Sequence, residues 1–393
     1  MLNKNLIICL HPYSNKGGAT NKIVQLLNKI DYKRFEIVYI YLKKNSKLKL
    51  NRNIKTIKLK SQRTLLSLFE IRKILSTFER RNFKKKFLIS NQNYSNVLVY
   101  FLLKNFKNYK SILLERNHLD ELYYYETIKD FLKKTVIKTL MKLTYRHSYK
   151  IIGNSKDLSK DLSKFVNKKV HTIYSPTNFK QIIQMSKDYK PKDVLYEKSK
   201  IRLLSVSRFT KRKDLITLLK AFKVINEKYQ NIELILIGYG SELSNIREYI
   251  EKNNLKSKVF LILYKDNPYP YFLISDLYIM PSLYEGCPNS IIEATALNLP
   301  VISSNCNSGP NEILLNGKGG FIFKKQNYIE LSSKIELFIK NKKIFMKKMV
   351  LAKKNIFRFN EKRILKEYIN IFNEIKWISI LNEKYFLLVS FFI

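Results

Sequence analysis

The chain has 393 residues, of which 45% are hydrophobic, so its composition excludes an intrinsically disordered protein and supplies enough apolar material for two domains. The formal net charge of +43 indicates an anionic membrane surface or a nucleic acid as a partner. A base composition that enriches Lys, Asn, Ile and Tyr codons explains the same charge without any partner.

The cysteines and the apolar runs predict a cytoplasmic protein. Cys9, Cys287 and Cys306 are an odd number of cysteines at unrelated spacings, which fits a reducing compartment. The apolar run 6–10 is too short for the core of a signal peptide, and the run 386–393 is too short to span a bilayer. We therefore expect neither a secretion signal nor a membrane-spanning helix.

The first half of the chain alternates short apolar runs with amphipathic segments. The runs predict strands, and the segments between them predict helices at 19–30, 65–80, 95–106 and 127–147. The predicted strands cover residues 6–11, 35–42, 87–90, 111–115 and 149–153. This alternation predicts a parallel sheet with helices on both faces.

The second half repeats the pattern. Strands are predicted at 202–206, 233–237, 259–263, 277–280 and 300–303, and helices at 215–229, 242–252, 290–297 and 330–340. We therefore predict an α/β protein with domains at 1–178 and 201–359, joined by a Lys-rich linker at 179–200. A helix at about 360–378 is expected to pack back on the first domain, followed by an apolar tail at 379–393.

Two carboxylates flank the loop that follows the predicted strand 277–280. Glu285 lies in the loop, and Glu293 lies near the start of the next helix. A structural explanation exists for Glu293, because Ser290 and Glu293 have the spacing of a capping box with Ser290 as the N-cap. Glu285 precedes the helix and has no such explanation. The segment between the two acids is Gly286-Cys287-Pro288-Asn289-Ser290.

Further segments follow the other strands of the second half in order. Arg208 and Lys213 come after the strand 202–206, Gly238 comes after the strand 233–237, and a Ser-Gly-Pro-Asn-Glu-Ile-Leu run occupies 308–314. Together with the two glutamates at a spacing of eight, this ordered set resembles family 4 of the retaining glycosyltransferases. The resemblance implies the GT-B fold, in which two Rossmann-like domains face each other across a cleft.

The resemblance also implies a role for each matching residue. Arg208 and Lys213 would hold the diphosphate of a UDP-sugar donor, which suits a guanidinium fork and a mobile ammonium. Glu285 would lie beside the donor sugar, and Glu293 would hold the ribose hydroxyls. The remaining donor-binding positions are Gly17 and Gly18 in the first loop, Gly238, and the loop Gly286, Cys287, Pro288, Asn289 and Ser290.

The first domain would then carry the acceptor. Arg116, Asn117 and His118 follow the predicted strand 111–115, where the family has a catalytic histidine or an Arg-Asn variant. Whether Asn117 or His118 fills that position stays open, and we assign His118 as catalytic together with Glu285, Arg208 and Lys213. The chain departs from the family pattern at Ser175, Asn178, Ser207, Asp214 and Leu263, which leaves the base of the donor undetermined.

A basic stripe marks the predicted helix 127–147. Lys134, Lys138, Lys142 and Arg146 recur every fourth residue, while apolar residues fall on other faces. This pattern is typical of a helix that lies on anionic lipid, and an ordinary surface helix with a solvated stripe has the same pattern. We therefore expect a peripheral protein on the inner face of the membrane, with the first domain toward the lipid.

The resulting hypothesis is a retaining hexosyltransferase. It would move a hexose or an N-acetylhexosamine from a UDP-sugar to a lipid-linked or polysaccharide acceptor in surface glycan synthesis, including lipopolysaccharide. No cluster of metal ligands occurs in the sequence, so neither a metal nor a cofactor is expected. The alternatives are a sugar-nucleotide epimerase of the same fold and a non-catalytic nucleic-acid-binding protein, although no nucleic-acid-binding motif is found.

Overall fold

The computed structural model describes residues 4–11, 18–42, 49–61, 63–194, 197 and 199–374, and they form two α/β halves. The first half is built on a sheet of seven parallel strands in the order β3-β2-β1-β4-β5-β6-β7. Its strands are β1 (Asn5–Leu10), β2 (Phe35–Tyr41), β3 (Ile54–Lys58), β4 (Lys86–Asn91), β5 (Tyr109–Glu115), β6 (Lys150–Gly153) and β7 (Val170–Thr172).

Helices cover both faces of this sheet, so its central strands are continuous apolar runs. The helices of this half are α1 (Gly18–Leu27), α2 (Leu68–Glu79), α3 (Asn93–Leu103), α4 (Ile128–Thr144) and α5 (Lys156–Val166). Helices α2 to α5 form one layer, which buries Ile71, Leu98, Ile137 and Leu158 against the sheet. Helix α1 packs on the opposite face through Ile23.

The second half has a six-stranded parallel sheet in the order β10-β9-β8-β11-β12-β13. Its strands are β8 (Ile201–Val206), β9 (Ile232–Ile237), β10 (Val259–Ile262), β11 (Leu277–Met280), β12 (Val301–Ser304) and β13 (Phe321–Phe323). The order of the strands reverses between β8 and β11. Ligands of doubly wound sheets bind at this switch point, beyond the carboxyl ends of the strands.

Nine helices occur in the rest of the described chain. They are α6 (Phe179–Met185), α7 (Leu215–Lys228), α8 (Leu243–Lys252), α9 (Tyr269–Leu273), α10 (Asn289–Ala296), α11 (Pro310–Ile313), α12 (Tyr328–Lys340), α13 (Lys342–Asn355) and α14 (Glu361–Asn373). No helix within the described ranges is both long enough and apolar enough to cross a bilayer. The predicted architecture of two parallel-sheet halves is confirmed.

Two segments connect the halves. The stretch 179–200 was predicted as a linker, but it begins with helix α6, whose Ile182 joins the core of the second half next to Ile291. Helix α14 crosses back to the first half and buries Tyr368 and Phe372 there. The Phe372 ring centroid lies 4.9 Å from that of Phe87 on β4. The predicted tail 379–393 lies outside the described residues.

Only part of the predicted basic stripe on helix α4 is fully exposed. Lys142 and Arg146 are exposed. Lys134 is half-buried, lies 2.9 Å from Asp130 and donates to the carbonyl of Tyr124. Lys138 is also half-buried and donates to the hydroxyl of Tyr125 at 3.0 Å. Apolar side chains face solvent on the same helix, and the sequence pattern alone could not show which of two partly apolar faces packs on the sheet.

Candidate functional site

A buried ion pair lies at the switch point of the second sheet. Lys213 follows β8, Glu285 follows β11, and the ammonium donates to the Glu285 carboxylate. Burial acts to raise the pKa of Glu285, but the charges of Lys213 and Arg212 outweigh it and hold this pKa below its usual range. Glu285 is therefore ionised at neutral pH. The structure thus brings together two of the predicted catalytic residues from loops 72 residues apart.

Two arginines add positive charge beside this pair. Arg208 is exposed, and its charge acts on Lys213. Arg212, which the sequence analysis did not select, has its guanidinium 5.5 Å from the ring centroid of Tyr284, and its charge acts on Glu285. Arg212 adjoins Lys213 in the sequence, so the basic run 211–213 was the available signal. The charges of Lys213 and Arg212 therefore act on the Glu285 carboxylate, and Arg208 adds a third cation near Lys213.

Helix α10 begins next to the pair without a side-chain cap. Its N-cap is Pro288, and the first helical residue is Asn289, whose Oδ1 is buried without a hydrogen-bond partner among the described residues. The alternative explanation of Glu293 by a capping box does not hold, because Ser290 lies inside the helix and is not its N-cap. The uncapped N–H groups at this helix start suit an anion.

Glu293 faces the first half of the chain. Its carboxylate accepts a hydrogen bond from the Tyr269 hydroxyl at 3.3 Å. Burial raises the pKa of Glu293, and the charge of Lys22 on helix α1 limits that rise. Lys22 is itself buried, with its ammonium 3.4 Å from the Thr177 hydroxyl. Lys22 was missed because a lysine on an amphipathic helix is usually a solvated residue.

The backbones of the two halves come into close contact at Gly286. A Cβ atom on this residue would overlap the carbonyl oxygen of Arg116, which follows β5 in the first half. The same carbonyl accepts a hydrogen bond from Asn154 Nδ2 at 3.2 Å. The Arg116 side chain is buried, and its Nη1 donates to the Ser175 hydroxyl at 3.0 Å. A glycine at 286 is thus required by the approach of the two backbones.

Polar and aromatic contacts extend this interface on both sides of Gly286. Glu312 accepts from the backbone N–H of Lys156 at 2.8 Å and also from the Tyr174 hydroxyl. The rings of Tyr124 and Tyr284 lie 5.0 Å apart. These contacts join the carboxyl ends of the two sheets, so the cleft between them is closed.

The predicted glycines have different structural roles. A Cβ atom on Gly238 would overlap the carbonyl oxygen of Ser207, so this glycine allows two loops of the second half to pack together. Gly18 begins helix α1, and Gly17 lies outside the described residues. Asp214, where the family has glycine, adopts φ 46° and ψ 44° in the left-handed region, which explains the family preference at that position.

His118 is held by carboxylates of its own half. Its Nε2 lies 3.0 Å from Asp161 Oδ2, and its Nδ1 accepts from the backbone N–H of Asp120 at 3.2 Å. Burial lowers the pKa of His118, but the hydrogen bonds and charges of Asp120 and Asp161 outweigh it and leave this pKa raised. With both ring nitrogens engaged, His118 is poorly placed to accept a proton from a substrate. The geometry gives no support to its predicted catalytic role.

The Cys287 thiol is chemically inert in this setting. Burial raises its pKa to about 12, and the charge of Glu312 adds to that effect. A protonated thiol is not a nucleophile at neutral pH. Within the described part of the chain, no group of three or more His, Cys, Asp or Glu side chains is arranged to hold a metal ion.

A cavity of about 580 Å³ lies between the two halves beside helix α4. Its lining includes Arg212 and Tyr284, the sequence neighbours of Lys213 and Glu285, but not the ion pair itself. The first half lines it with Tyr125, Asp130 and Lys134, and the second half lines it with Arg212 and Tyr284. Aromatic and charged side chains from both halves therefore enclose a volume large enough for one or two sugar rings.

Comparison with known proteins gives this site a family context. Residues 186–356 match the family model described as glycosyl transferases group 1. An uncharacterized glycosyltransferase of Methanocaldococcus jannaschii is 32% identical over 246 residues, which cover 60% of this chain and 59% of that protein. The chain thus spans less than two thirds of the length of this relative.

A second relative has a defined acceptor. The N-acetylgalactosamine-N,N'-diacetylbacillosaminyl-diphospho-undecaprenol 4-alpha-N-acetylgalactosaminyltransferase of Campylobacter jejuni is 25% identical over 222 residues, which cover 55% of this chain and 58% of that protein. Among solved structures, HepE of Anabaena in complex with UDP has a TM-score of 0.76 at 15% identity, covering 95% of this chain and 100% of the other. The likeness shows the GT-B fold.

Replacing Gly286 tests the contact between the halves. We expect Gly286→Ala to separate the two backbones, to increase the radius of gyration in small-angle X-ray scattering and to reduce sugar transfer by about 100-fold, since misplacement by one ångström has that effect in active sites. Lys354→Ala is the control, because this exposed side chain on helix α13 lies outside the contact between the halves. If Gly286→Ala had the scattering and the transfer activity of the wild type, the conclusion that this contact requires a glycine would be contradicted.

The raised pKa of Glu115 leads us to predict that the stability of the fold depends on pH. It accepts from the Tyr145 hydroxyl at 3.0 Å, and burial raises its pKa to about 7. A raised carboxyl pKa means that the folded state binds the proton more tightly, so stability falls as pH rises through this range. Relative to Glu115→Gln, we expect the free energy of unfolding of the wild type to fall by about 3 kcal/mol between about pH 4 and pH 8. Urea unfolding at both pH values measures this, and a difference independent of pH would contradict it.

Proposed function

We propose that this chain, whose residues 186–356 match the glycosyl transferases group 1 model, transfers a hexose or an N-acetylhexosamine from a UDP-sugar to a lipid-linked or polysaccharide acceptor. The observation that carries the proposal is the buried Lys213–Glu285 pair at the switch point, beside the uncapped start of helix α10. We place the reaction in surface glycan synthesis on the cytoplasmic side of a membrane.

The charges at this point fit the bond that must break. Cleavage of a sugar–diphosphate bond builds negative charge on the leaving phosphates and positive charge on the sugar. Lys213, Arg208 and the N–H groups of helix α10 would stabilise the phosphates. The ionised Glu285 would lie on the side of the sugar cation. The site would thus place positive charge beside the phosphates and negative charge beside the sugar.

The donor would lie against the second half, and the acceptor would enter from the first. Glu293 and Lys22 come from opposite halves and are near enough for the charge of each to act on the other. We propose that the nucleoside of a donor is enclosed between them. A donor whose nucleotide is UDP, with uracil as its base, is supported by the solved neighbour that holds UDP. We propose a retaining reaction, in which the acceptor hydroxyl attacks on the face of the leaving diphosphate and gives its proton to that diphosphate. This route needs no histidine base, and both ring nitrogens of His118 are already engaged.

The acceptor would occupy the cavity beside helix α4. Its lining by Tyr125 and Tyr284 suits the apolar faces of sugar rings, while Asp130 and Arg212 offer hydrogen bonds to hydroxyl groups. A glycan joined to an undecaprenyl diphosphate is supported by the acceptor of the Campylobacter jejuni relative. Positioning by both halves would then supply most of the rate enhancement.

Replacing Glu285 separates its role in transfer from donor binding. We expect Glu285→Gln to reduce transfer by at least about 100-fold, because an ionised group beside the reacting centre is lost. UDP affinity should stay the same or rise, since Lys213 is released from its carboxylate partner. The measurements are radiolabelled transfer to membrane-extracted lipid and calorimetric UDP binding.

The control is Glu248→Gln, an exposed carboxylate on helix α8. Thermal unfolding of both variants verifies that the protein is folded. Analysis of products without acceptor distinguishes transfer from epimerisation of the nucleotide sugar. Unchanged turnover in Glu285→Gln would remove Glu285 from the mechanism.

A further inference from the structure

An apolar stripe runs along the solvent side of helix α4. Ile128 is 82% exposed, Leu132 58%, Val136 56% and Leu143 49%. At 3.6 residues per turn these four side chains fall within an arc of about 80°. Ile137, Met141 and Thr144 lie on the opposite side of the helix and are buried against the sheet. Helix α4 is therefore apolar on two faces, and only one of them is covered by the chain.

Lysines flank this stripe on both sides. Helix α4 carries five lysines and one aspartate, and that aspartate, Asp130, is paired with Lys134. The helical spacing places Lys129 and Lys133 along one edge of the stripe, and Lys138 and Lys142 along the other. A narrow apolar face between two rows of cations is the pattern of a helix that lies in the interface of an anionic bilayer.

The same helical layer exposes a second apolar pair. Leu66 is 62% exposed and Phe69 is 75% exposed, at the start of helix α2. The Arg72 guanidinium lies 5.9 Å from the Phe69 ring centroid, so cationic and apolar groups again lie side by side. Helices α2 and α4 both pack on helix α3, and all three cover the same face of the first sheet. The apolar groups therefore belong to one surface of the first half.

The charges decide between a membrane and a second copy of the chain. In a symmetric dimer through this stripe, the lysine rows of the two copies would face each other at close range, which is destabilising. An anionic bilayer neutralises the same lysines and covers the apolar side chains at once. The net charge of +43 likewise favours an anionic bilayer over a second copy of the chain.

The stripe and the cavity share this helix. Asp130 and Lys134 line the cavity, and they lie on the side of helix α4 away from Leu132 and Val136. A helix with its side chains is about 10–12 Å across, so a bilayer against the stripe would lie about that distance from the cavity. A sugar on a lipid anchor could reach the cavity without the lipid leaving the membrane.

We propose that Ile128, Leu132, Val136 and Leu143, with Leu66 and Phe69, form a surface that docks on an anionic lipid bilayer. Docking there presents a membrane-anchored acceptor to the cavity beside helix α4. The acceptor part of this inference rests on the proposed glycosyl transfer, and the docking part does not. The surface also accounts for an apolar stripe that nothing else in the described chain covers.

Flotation with vesicles tests the docking surface in the full chain. The probes are vesicles of phosphatidylcholine alone and of phosphatidylcholine with phosphatidylglycerol. We expect wild-type protein to float with the anionic vesicles only, and Leu132→Asp/Val136→Asp to lower the partition coefficient by at least about tenfold. Lys129→Gln/Lys133→Gln should weaken binding to the anionic vesicles. Added salt should weaken the binding of the wild type in the same way.

The control is Ile329→Asp/Val350→Asp, which changes two exposed apolar side chains in the second half and should bind vesicles as the wild type does. Circular dichroism and UDP binding verify that each variant is folded. Equal flotation of Leu132→Asp/Val136→Asp and wild type would overturn the proposal. The proposal would also be overturned if the wild type formed a dimer and did not bind vesicles, while Leu132→Asp/Val136→Asp was a monomer. Vesicle binding without transfer to any lipid-linked or polysaccharide acceptor would refute the proposed function and leave the docking surface standing.

Discussion

The proposed chemistry depends on a largely buried ion pair in the second half. Removing an ammonium and a carboxylate from water is costly, and the attraction between them often does no more than offset that cost. Apolar residues would stabilise the loops after β8 and β11 at least as well. Lys213 and Glu285 nevertheless lie at the switch point where a doubly wound sheet binds its ligand. We therefore interpret the pair as a site that holds opposite charges ready for a substrate rather than as a device for stability.

The closed cleft follows from contacts between the carboxyl ends of the two sheets. Gly286 lets the loop with Glu285 touch the backbone of Arg116, and Ser308 fixes the same loop by donating to the Glu285 carbonyl at 2.7 Å. The ion pair is thus positioned by both halves of the chain. Helix α14 connects the second half to the first by packing on the first sheet. A donor on one side and an acceptor on the other would meet where these constraints converge.

The sequence predicted the architecture well, because buried parallel strands are continuous apolar runs that differ clearly from amphipathic helices. It missed β3, β7 and β13, which are short or largely exposed and therefore lack that signal. Glu285 and Lys213 were found from loop position and motif order. Lys22 was not, because its neighbours in space come from the distant half of the chain. The exposed apolar side chains of helix α4 were not foreseen, since periodicity does not specify which side of a helix meets the sheet.

The most direct test of the central claim compares how Lys213→Ala binds UDP and uridine by calorimetry. If Lys213 holds the diphosphate, UDP affinity falls by about tenfold or more while uridine affinity is unchanged. Equal losses for UDP and uridine would show that the substitution disturbs the pocket as a whole. The ion pair with Glu285 would then be structural, and the proposed donor site would be wrong.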